Sequence, residues 1–149
     1  MSRIALLLVL SLAACTPGAA MAPSGGGGAA LTIDVSLTSH AAGPSTFGTL
    51  AGYSPPVRQV AAGWSVRFVN SDGFAHTATH VAAAAFPAGS PFSTSAQTQS
   101  GARLSQSWST GTLQAGASSQ TFAVDAPGTY LYGCFYHYGS PMRGVIVAQ

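Results

Sequence analysis

Apolar and polar residues alternate with a period of two in several short stretches of the chain. The clearest stretches are residues 31–38, 64–69 and 129–134. A period of two places neighbouring side chains on opposite faces of an extended strand, so each stretch predicts a β-strand with one buried face. In the second stretch, the pattern places Trp64 on the same face as Phe68.

Turn signals rich in Gly and Pro separate these stretches, and no segment shows a convincing 3.6-residue helical period. Roughly seven short strands joined by such turns predict an all-β sandwich, here spanning residues 31–149. Residues 39–52 are predicted to form a loop. Residues 82–111 are predicted to form a long surface excursion, in which 104–108 is a candidate strand.

The N-terminal segment is a targeting signal rather than part of the fold. Residues 1–14 begin with Arg3 and continue as an apolar run, too short to span a bilayer, that ends before Cys15. The pattern is typical of a cleaved bacterial lipoprotein signal, which would leave lipid on Cys15. An ordinary secretory signal is the alternative. Residues 15–30 predict a flexible tether, so the domain is expected to be membrane-anchored and extracytoplasmic, either periplasmic or at the cell surface.

Charged residues make up only 5% of the chain, against roughly 25% in ordinary soluble domains. The net charge of +2 is the difference between two very small sums, so it gives no support to nucleic-acid binding. The three aspartates are scattered along the sequence, and the chain has no glutamate. A catalytic carboxylate pair is therefore hard to assemble, which argues against most acid–base enzymes.

Three potential metal ligands lie close together near the C-terminus. Cys134, His137 and Met142 have the spacing Cys-x2-His-x4-Met, and a predicted returning strand at 144–147 follows them. Thiolate, imidazole and thioether are soft or borderline ligands. If Cys15 carries lipid, Cys134 has no disulfide partner, and a bare thiol is a liability in an oxidising compartment. A metal-bound thiolate is the favoured interpretation, and a buried inert cysteine is the alternative.

The other histidines differ in their sequence context. A turn signal at residues 70–73 brings His76 to a strand end as well. His80 follows four residues later, and two histidines at this spacing on a strand are too far apart for easy chelation, so His80 is predicted to be peripheral. His40 lies in a polar loop and is predicted to be solvated.

Residues 53–149 resemble the cupredoxins, the blue copper proteins of the plastocyanin and azurin type. Three segments carry the resemblance, namely 53–63, 70–76 and 128–144. The four-residue spacing between the last histidine and the methionine is similar to that of plastocyanin and its relatives. The resemblance implies a Greek-key β-sandwich and a single bound copper ion.

The resemblance also implies the role of each site residue. His76, Cys134 and His137 are expected to be equatorial copper ligands, and Met142 is expected to be the weak axial ligand. Asn70 corresponds to an asparagine that, in the family, ties the two ligand loops together.

Such a centre suits both Cu(I) and Cu(II), so the expected function is single-electron transfer between extracytoplasmic redox proteins rather than catalysis. Partners are expected to dock near His137, on an apolar collar formed by Phe74, Phe135, Tyr136, Tyr138 and Pro141. Two alternatives remain open. One is a copper-binding lipoprotein for storage, delivery or stress protection, and the other is a zinc enzyme that uses His2Cys with water.

Overall fold

The computed structural model describes residues 30–149, so the predicted signal peptide, the lipid site at Cys15 and the linker before residue 30 lie outside the described residues. In chain order the strands are β1 Leu31–Val35, β2 Gly43–Ser45, β3 Gly48–Leu50, β4 Tyr53–Ser54, β5 Val57–Val60, β6 Ser65–Asn70, β7 Thr79–His80, β8 Gln99–Ser100, β9 Ser109–Thr110, β10 Phe122–Ala123, β11 Gly128–Gly133 and β12 Arg143–Ala148. A short 3-10 helix, Thr94–Gln97, precedes β8. Over residues 30–149, no helix is long and apolar enough to span a bilayer.

The strands form two main sheets and a separate hairpin. One sheet has the order β10-β6-β1-β4, the other has the order β5-β12-β11-β7-β9-β8, and β2 pairs with β3. The pairs β1–β6 and β5–β12 are parallel, so strands distant in sequence lie side by side. Apolar residues from both main sheets meet in one buried cluster between them. The predicted all-β Greek-key sandwich is confirmed.

The main core is dominated by aromatic rings that interlock across the two sheets. The Phe68 ring of β6 lies 5.1 Å from the Tyr132 ring of β11 and 5.8 Å from the Trp108 ring. Tyr132 also meets Tyr53 edge-on, with 4.8 Å between the ring centroids. Edge-to-face aromatic pairs contribute about 0.5–1.5 kcal/mol each beyond the burial of their area. These contacts fix the position of β11, whose end carries Cys134.

A second apolar cluster covers the outer face of the six-stranded sheet. Leu131 and Val145 point away from the main core and pack with Tyr138 in this cluster. Phe86 and Phe92 of the excursion pack against the same cluster from outside. The predicted surface excursion is therefore largely exposed along its length, but apolar residues attach it to the sheet.

Three element predictions were wrong in detail. Residues 104–108 do not form a strand, because the chain turns there and the Gln106 N–H donates to the Arg103 carbonyl at 3.4 Å; Leu104 and Trp108 are still buried in the main core. The predicted loop 39–52 contains the hairpin β2–β3. Trp64 precedes β6 and is 47% exposed, so it does not join Phe68 in the core.

The first strand is also shorter than the alternation predicts. It ends at Val35 rather than at residue 38. The backbone N–H groups of Leu37 and Thr38 instead donate to the carboxylate of Asp72, at 2.7 and 3.2 Å. A side-chain acceptor thus replaces the ladder hydrogen bonds and turns the chain out of the sheet.

We predict that Gly144→Ala destabilises the fold. Gly144 lies directly opposite Tyr132 in the β11–β12 ladder, and a Cβ at this position would overlap the Tyr132 ring. Overpacking of a close-packed core costs about 1–3 kcal/mol. Urea unfolding of the metal-free protein measures this loss. Gly89→Ala is the control, because a Cβ there meets nothing within 4 Å, and equal stabilities for the two variants would contradict the prediction.

Candidate metal centre

Three of the four predicted ligands are placed by the loop that joins β11 to β12. Cys134 directly follows β11, and Met142 directly precedes β12. The Cys134 N–H donates to the Met142 carbonyl at 3.0 Å, which extends the ladder by one further hydrogen bond. The N–H groups of Ser140 and Met142 donate to the His137 carbonyl at 2.9 and 3.2 Å. These bonds close the loop into a compact turn with His137 at its centre.

The fourth predicted ligand, His76, comes from the segment after β6. The His76 N–H donates to the Leu113 carbonyl at 3.1 Å, and the Leu113 N–H donates to the His76 carbonyl at 2.8 Å. The Asn70 side-chain amide donates to the carbonyls of Phe74 and Leu113, at 2.8 and 2.9 Å. These hydrogen bonds hold the backbone of His76 to Leu113 and tie both to the end of β6 through Asn70.

The structure brings His76, Cys134 and His137 together. The two Nδ1 atoms lie 3.2 Å apart, and the Cys134 Sγ lies 3.7 Å from the Nδ1 of His76 and 3.6 Å from that of His137. A triangle with these sides has its centre roughly 2 Å from each corner, which is close to the length of a metal–imidazole bond. Two imidazoles and a thiolate form a donor set that selects copper or zinc. The three side chains therefore fit a single metal ion.

The protonation chemistry of the group also favours a bound cation. Burial raises the pKa of the Cys134 thiol, while backbone hydrogen bonds from Thr77, His137 and Tyr136 partly oppose this effect. Burial lowers the pKa of His137, and the neighbouring His76 lowers it further. A neutral imidazole has a free lone pair, and a metal ion would supply the positive charge that a buried thiolate needs.

The axial position predicted for Met142 rests on its burial and its neighbours. The side chain is 0% exposed and lies in the same apolar cluster as Cys134. Gly52 packs directly against it: a Cβ there would lie 3.1 Å from the Met142 sulfur, and the Gly52 φ of +76° favours glycine. Met142 is thus confined beside the group. Its assignment as a ligand stays a prediction.

The role expected for Asn70 was wrong in one respect. Its side-chain hydrogen bonds go to Phe74, Leu113 and Asp72, and none of them reaches the loop that carries Cys134. Thr77 joins the two ligand loops instead. Its N–H lies 3.4 Å from the Cys134 Sγ, and its Oγ1 accepts from the Phe135 N–H at 2.9 Å. The sequence signal was available, because Thr77 directly follows a predicted ligand.

Asp72 is a second residue that sequence reasoning missed. Its carboxylate lies 3.1 Å from the Nε2 of His76, and the residue is only 5% exposed. Burial raises the pKa of Asp72, but hydrogen bonds from His76, Thr38 and Gly73 outweigh burial and hold it well below its ordinary value. The only signal in the sequence is an aspartate four residues before a histidine, inside a turn.

The remaining histidines lie outside the group. His80 is peripheral, as predicted: its ring stacks on Trp108 with 6.1 Å between the centroids. His40 was predicted to be solvated, and this was wrong. Its Nε2 lies 2.6 Å from the Oδ2 of Asp34, and its side chain is only 24% exposed. Sequence reasoning missed this pair, because it treated His40 as part of a solvated loop, whereas the partner Asp34 lies on β1.

The predicted collar of apolar residues is present only in part. Phe74 and Tyr136 are 42% and 41% exposed, and the Phe74 ring lies 4.8 and 5.4 Å from the rings of His76 and His137. Tyr138 does not belong to the collar, because it is 2% exposed and packs beneath the excursion in the second apolar cluster. The alternation of the sequence could not distinguish the two faces of this short loop.

Comparison with known proteins points to one family. Residues 46–149 match the family described as copper binding proteins, plastocyanin/azurin family. No curated protein sequence matches this chain significantly.

Several solved structures are similar to this chain at low sequence identity. A novel purple cupredoxin from Nitrosopumilus maritimus is 17% identical with a TM-score of 0.52, over 80% of this chain and 99% of that chain. A reduced amicyanin variant is 18% identical with a TM-score of 0.49, over 81% and 83% of the two chains. A copper-containing nitrite reductase from Thermus scotoductus is 20% identical with a TM-score of 0.49, over 80% of this chain but 22% of that one.

We predict that Thr77→Val destabilises the metal-free protein by about 1–3 kcal/mol, the cost of a buried donor left without its acceptor. Valine keeps the shape of threonine but lacks the Oγ1 that accepts from the Phe135 N–H. Thr112→Val is the control, because the Thr112 hydroxyl bonds Tyr136 at an exposed position. Chemical unfolding measures both variants, and an equal loss in the two would contradict the prediction.

We predict that His80 makes the stability of the metal-free protein depend on pH. Burial lowers the pKa of His80 below its ordinary value of 6.5, so the unfolded chain binds this proton more readily than the folded one. Stability is therefore lost as the pH falls through about 6.5, and the loss levels off below the folded-state pKa. His80→Gln removes this component. Unfolding curves at a series of pH values should show a shallower acid slope for the variant, and an identical slope would contradict the prediction.

Proposed function

The chain belongs to the plastocyanin/azurin family of copper-binding proteins, and we propose that it carries single electrons between redox partners outside the cytoplasm. Its cofactor is one copper ion, for which the group of His76, Cys134 and His137 supplies a fitting donor set. One observation carries the proposal: His76 and Cys134 are fully buried, yet His137 is half-buried and reaches the surface beside exposed aromatic rings.

The candidate ligands have distinct roles in the proposal. Copper bound there would supply a Cu(II)/Cu(I) redox couple, which exchanges one electron at a time. The Nδ1 atoms of His76 and His137 and the Sγ of Cys134 would hold the ion, and Met142 would be a further, weaker ligand. Thr77 donates a backbone hydrogen bond to the sulfur. Such bonds, together with the apolar surroundings, tune the potential of a centre of this class.

Rigidity of the site supports electron transfer rather than copper release. Cys134, His76 and Met142 are each 0% exposed, and each is held by backbone hydrogen bonds that do not depend on metal. A group that is already assembled needs little rearrangement when the charge of the ion changes. Three of the four candidate ligands are also shielded from solvent, and so from an incoming chelator.

The surface around His137 supports docking of a protein partner. Phe74 and Tyr136 are exposed beside it, and residues 73–76 and 134–142 carry no lysine, arginine, aspartate or glutamate. An uncharged aromatic patch favours apolar contact and short-lived association over electrostatic steering. We propose that the partner contacts this patch and exchanges its electron through the exposed edge of His137.

We propose no catalytic reaction at this centre and no nucleic-acid partner. Asp72 is the acidic residue that contacts a candidate ligand, and its carboxylate is already occupied by hydrogen bonds. We further propose that lipid on Cys15 holds the domain at a membrane surface, in the periplasm or on the cell exterior, as the N-terminal sequence predicts.

The proposal is tested by the electron self-exchange rate of the copper-loaded protein, measured by NMR line broadening in mixtures of the oxidised and reduced forms. We predict that Phe74→Ala lowers this rate about tenfold, because an aromatic contact at the centre of the docking patch is lost. Trp64→Ala is the matched control. Trp64 is similarly exposed at 47%, but it precedes β6, whereas Phe74 and His76 follow the opposite end of that strand.

Visible spectra of each loaded variant show whether the thiolate-to-copper band is intact, which separates docking from damage to the site. Equal rates for the two variants would contradict the docking surface. Negligible self-exchange in the unmodified protein, with ready transfer of Cu(I) to a chelator, would instead support copper storage or delivery.

A further inference from the structure

We propose that Asp72 is a positioning residue that fixes the tautomer of His76 and favours Cu(II) over Cu(I) at the centre. The second half of this inference rests on the proposed function. The first half concerns the metal-free chain alone. No motif in the sequence assigned a role to Asp72.

The two nitrogens of His76 face different partners. Nδ1 faces the Sγ of Cys134 at 3.7 Å, and Nε2 faces the Oδ2 of Asp72 at 3.1 Å. Both side chains of the His76–Asp72 pair are almost completely buried, at 0% and 3% exposure. An ionised carboxylate can only accept hydrogen bonds, so Nε2 must carry the proton. Nδ1 then keeps its lone pair directed at the metal centre.

The carboxylate is itself fixed by donors from elsewhere in the fold. Oδ2 accepts from the N–H groups of Leu37 and Thr38, and Oδ1 accepts from the Thr38 hydroxyl at 2.8 Å and the Gly73 N–H at 2.9 Å. These donors leave the carboxylate no freedom to rotate away from the imidazole. The loop after β1 therefore holds the orientation of His76 through Asp72.

The charge of Asp72 is not neutralised by a basic side chain. Within residues 30–149, the only ion pair that contains an arginine is the one between Arg103 and Asp125. A metal ion held by this group would therefore face two negative charges, that of the buried carboxylate and that of the thiolate that Cys134 would form on binding it. A buried negative charge stabilises the more positive oxidation state most, because Coulomb interactions are strong where water is excluded.

His137 provides an internal contrast. Among its described contacts no carboxylate faces the ring, and the residue is half-buried near the surface. The two histidines therefore have separate tasks. His76 is held in one orientation and tautomer from behind, while His137 is available to a partner.

The experiment compares Asp72→Asn with Asp34→Asn. The control removes a more exposed carboxylate–imidazole pair, in which Asp34 lies 2.6 Å from the Nε2 of His40 and neither residue belongs to the metal group. In the metal-free protein labelled with 15N-histidine, long-range 1H–15N NMR reports the tautomer of each neutral ring. We expect His76 to be protonated on Nε2 alone in the unmodified protein and in Asp34→Asn, but to be a mixture of tautomers in Asp72→Asn.

A second readout uses copper itself. Loss of a hydrogen-bonded partner behind a metal-bound histidine typically weakens metal binding about 10- to 100-fold. We expect Asp72→Asn to weaken Cu(II) binding by this factor and Cu(I) binding by less, with Asp34→Asn unchanged for both ions. An unchanged His76 tautomer, or an equal loss for the two ions, would overturn the inference.

If Asp72→Asn fails to fold, Thr38→Val replaces it, because it removes one donor to the carboxylate at an exposed position. The same shift in the tautomer and in the Cu(II) preference is then expected at smaller size, and no shift would overturn the inference. The tautomer readout requires no electron transfer. Negligible self-exchange would therefore count against the proposed function, whereas the tautomer of His76 tests the first half of this inference independently.

Discussion

The antiparallel ladder between β11 and β12 is the constraint on which the rest of the structure depends. It contains six residue pairs, and it ends where the chain leaves β11 at Cys134 and re-enters β12 after Met142. Both faces of the ladder are buried: Tyr132 points into the main core, and Leu131 points into the second one. The loop between the strands cannot shift without disturbing both cores. This is why a nine-residue loop can keep its candidate ligand atoms at fixed distances from one another.

The site is asymmetric, and the proposed function uses this asymmetry to separate holding the metal from exchanging electrons. Cys134 and His76 are fully buried, and each is hydrogen-bonded to a part of the chain far away in sequence, Cys134 to Thr77 and His76 to Leu113. His137 belongs to the same triangle of donor atoms but reaches the surface beside Phe74 and Tyr136. A buried thiol without a cation is costly to ionise, so the scaffold favours a metal-bound state. In the proposed function, the half-buried His137 gives partners access to this centre.

The long excursion between β7 and β9 extends the sandwich without closing the site. Phe86 and Phe92 pack on Tyr138, and the Arg143 guanidinium lies 4.0 Å from the centre of the Tyr138 ring. Through these contacts, the side of loop 134–142 that carries Tyr138 packs against the outer face of the six-stranded sheet. The residues beside His137 stay exposed, so the excursion supports the loop from behind and leaves the docking side free.

The sequence by itself determined the strands, the sandwich and the three ligand types, because period-two alternation and the spacing of Cys134, His137 and Met142 are local properties. The turn signal at residues 70–73 located His76, and the resemblance to a family gave it the role of a ligand. Tertiary structure decided that Thr77 ties the ligand loops and that the loop after β1 holds Asp72 against the imidazole, since hydrogen bonds between segments over 30 residues apart leave no periodic trace. It also decided that Tyr138 is buried and Tyr136 exposed, because that depends on what packs over the loop.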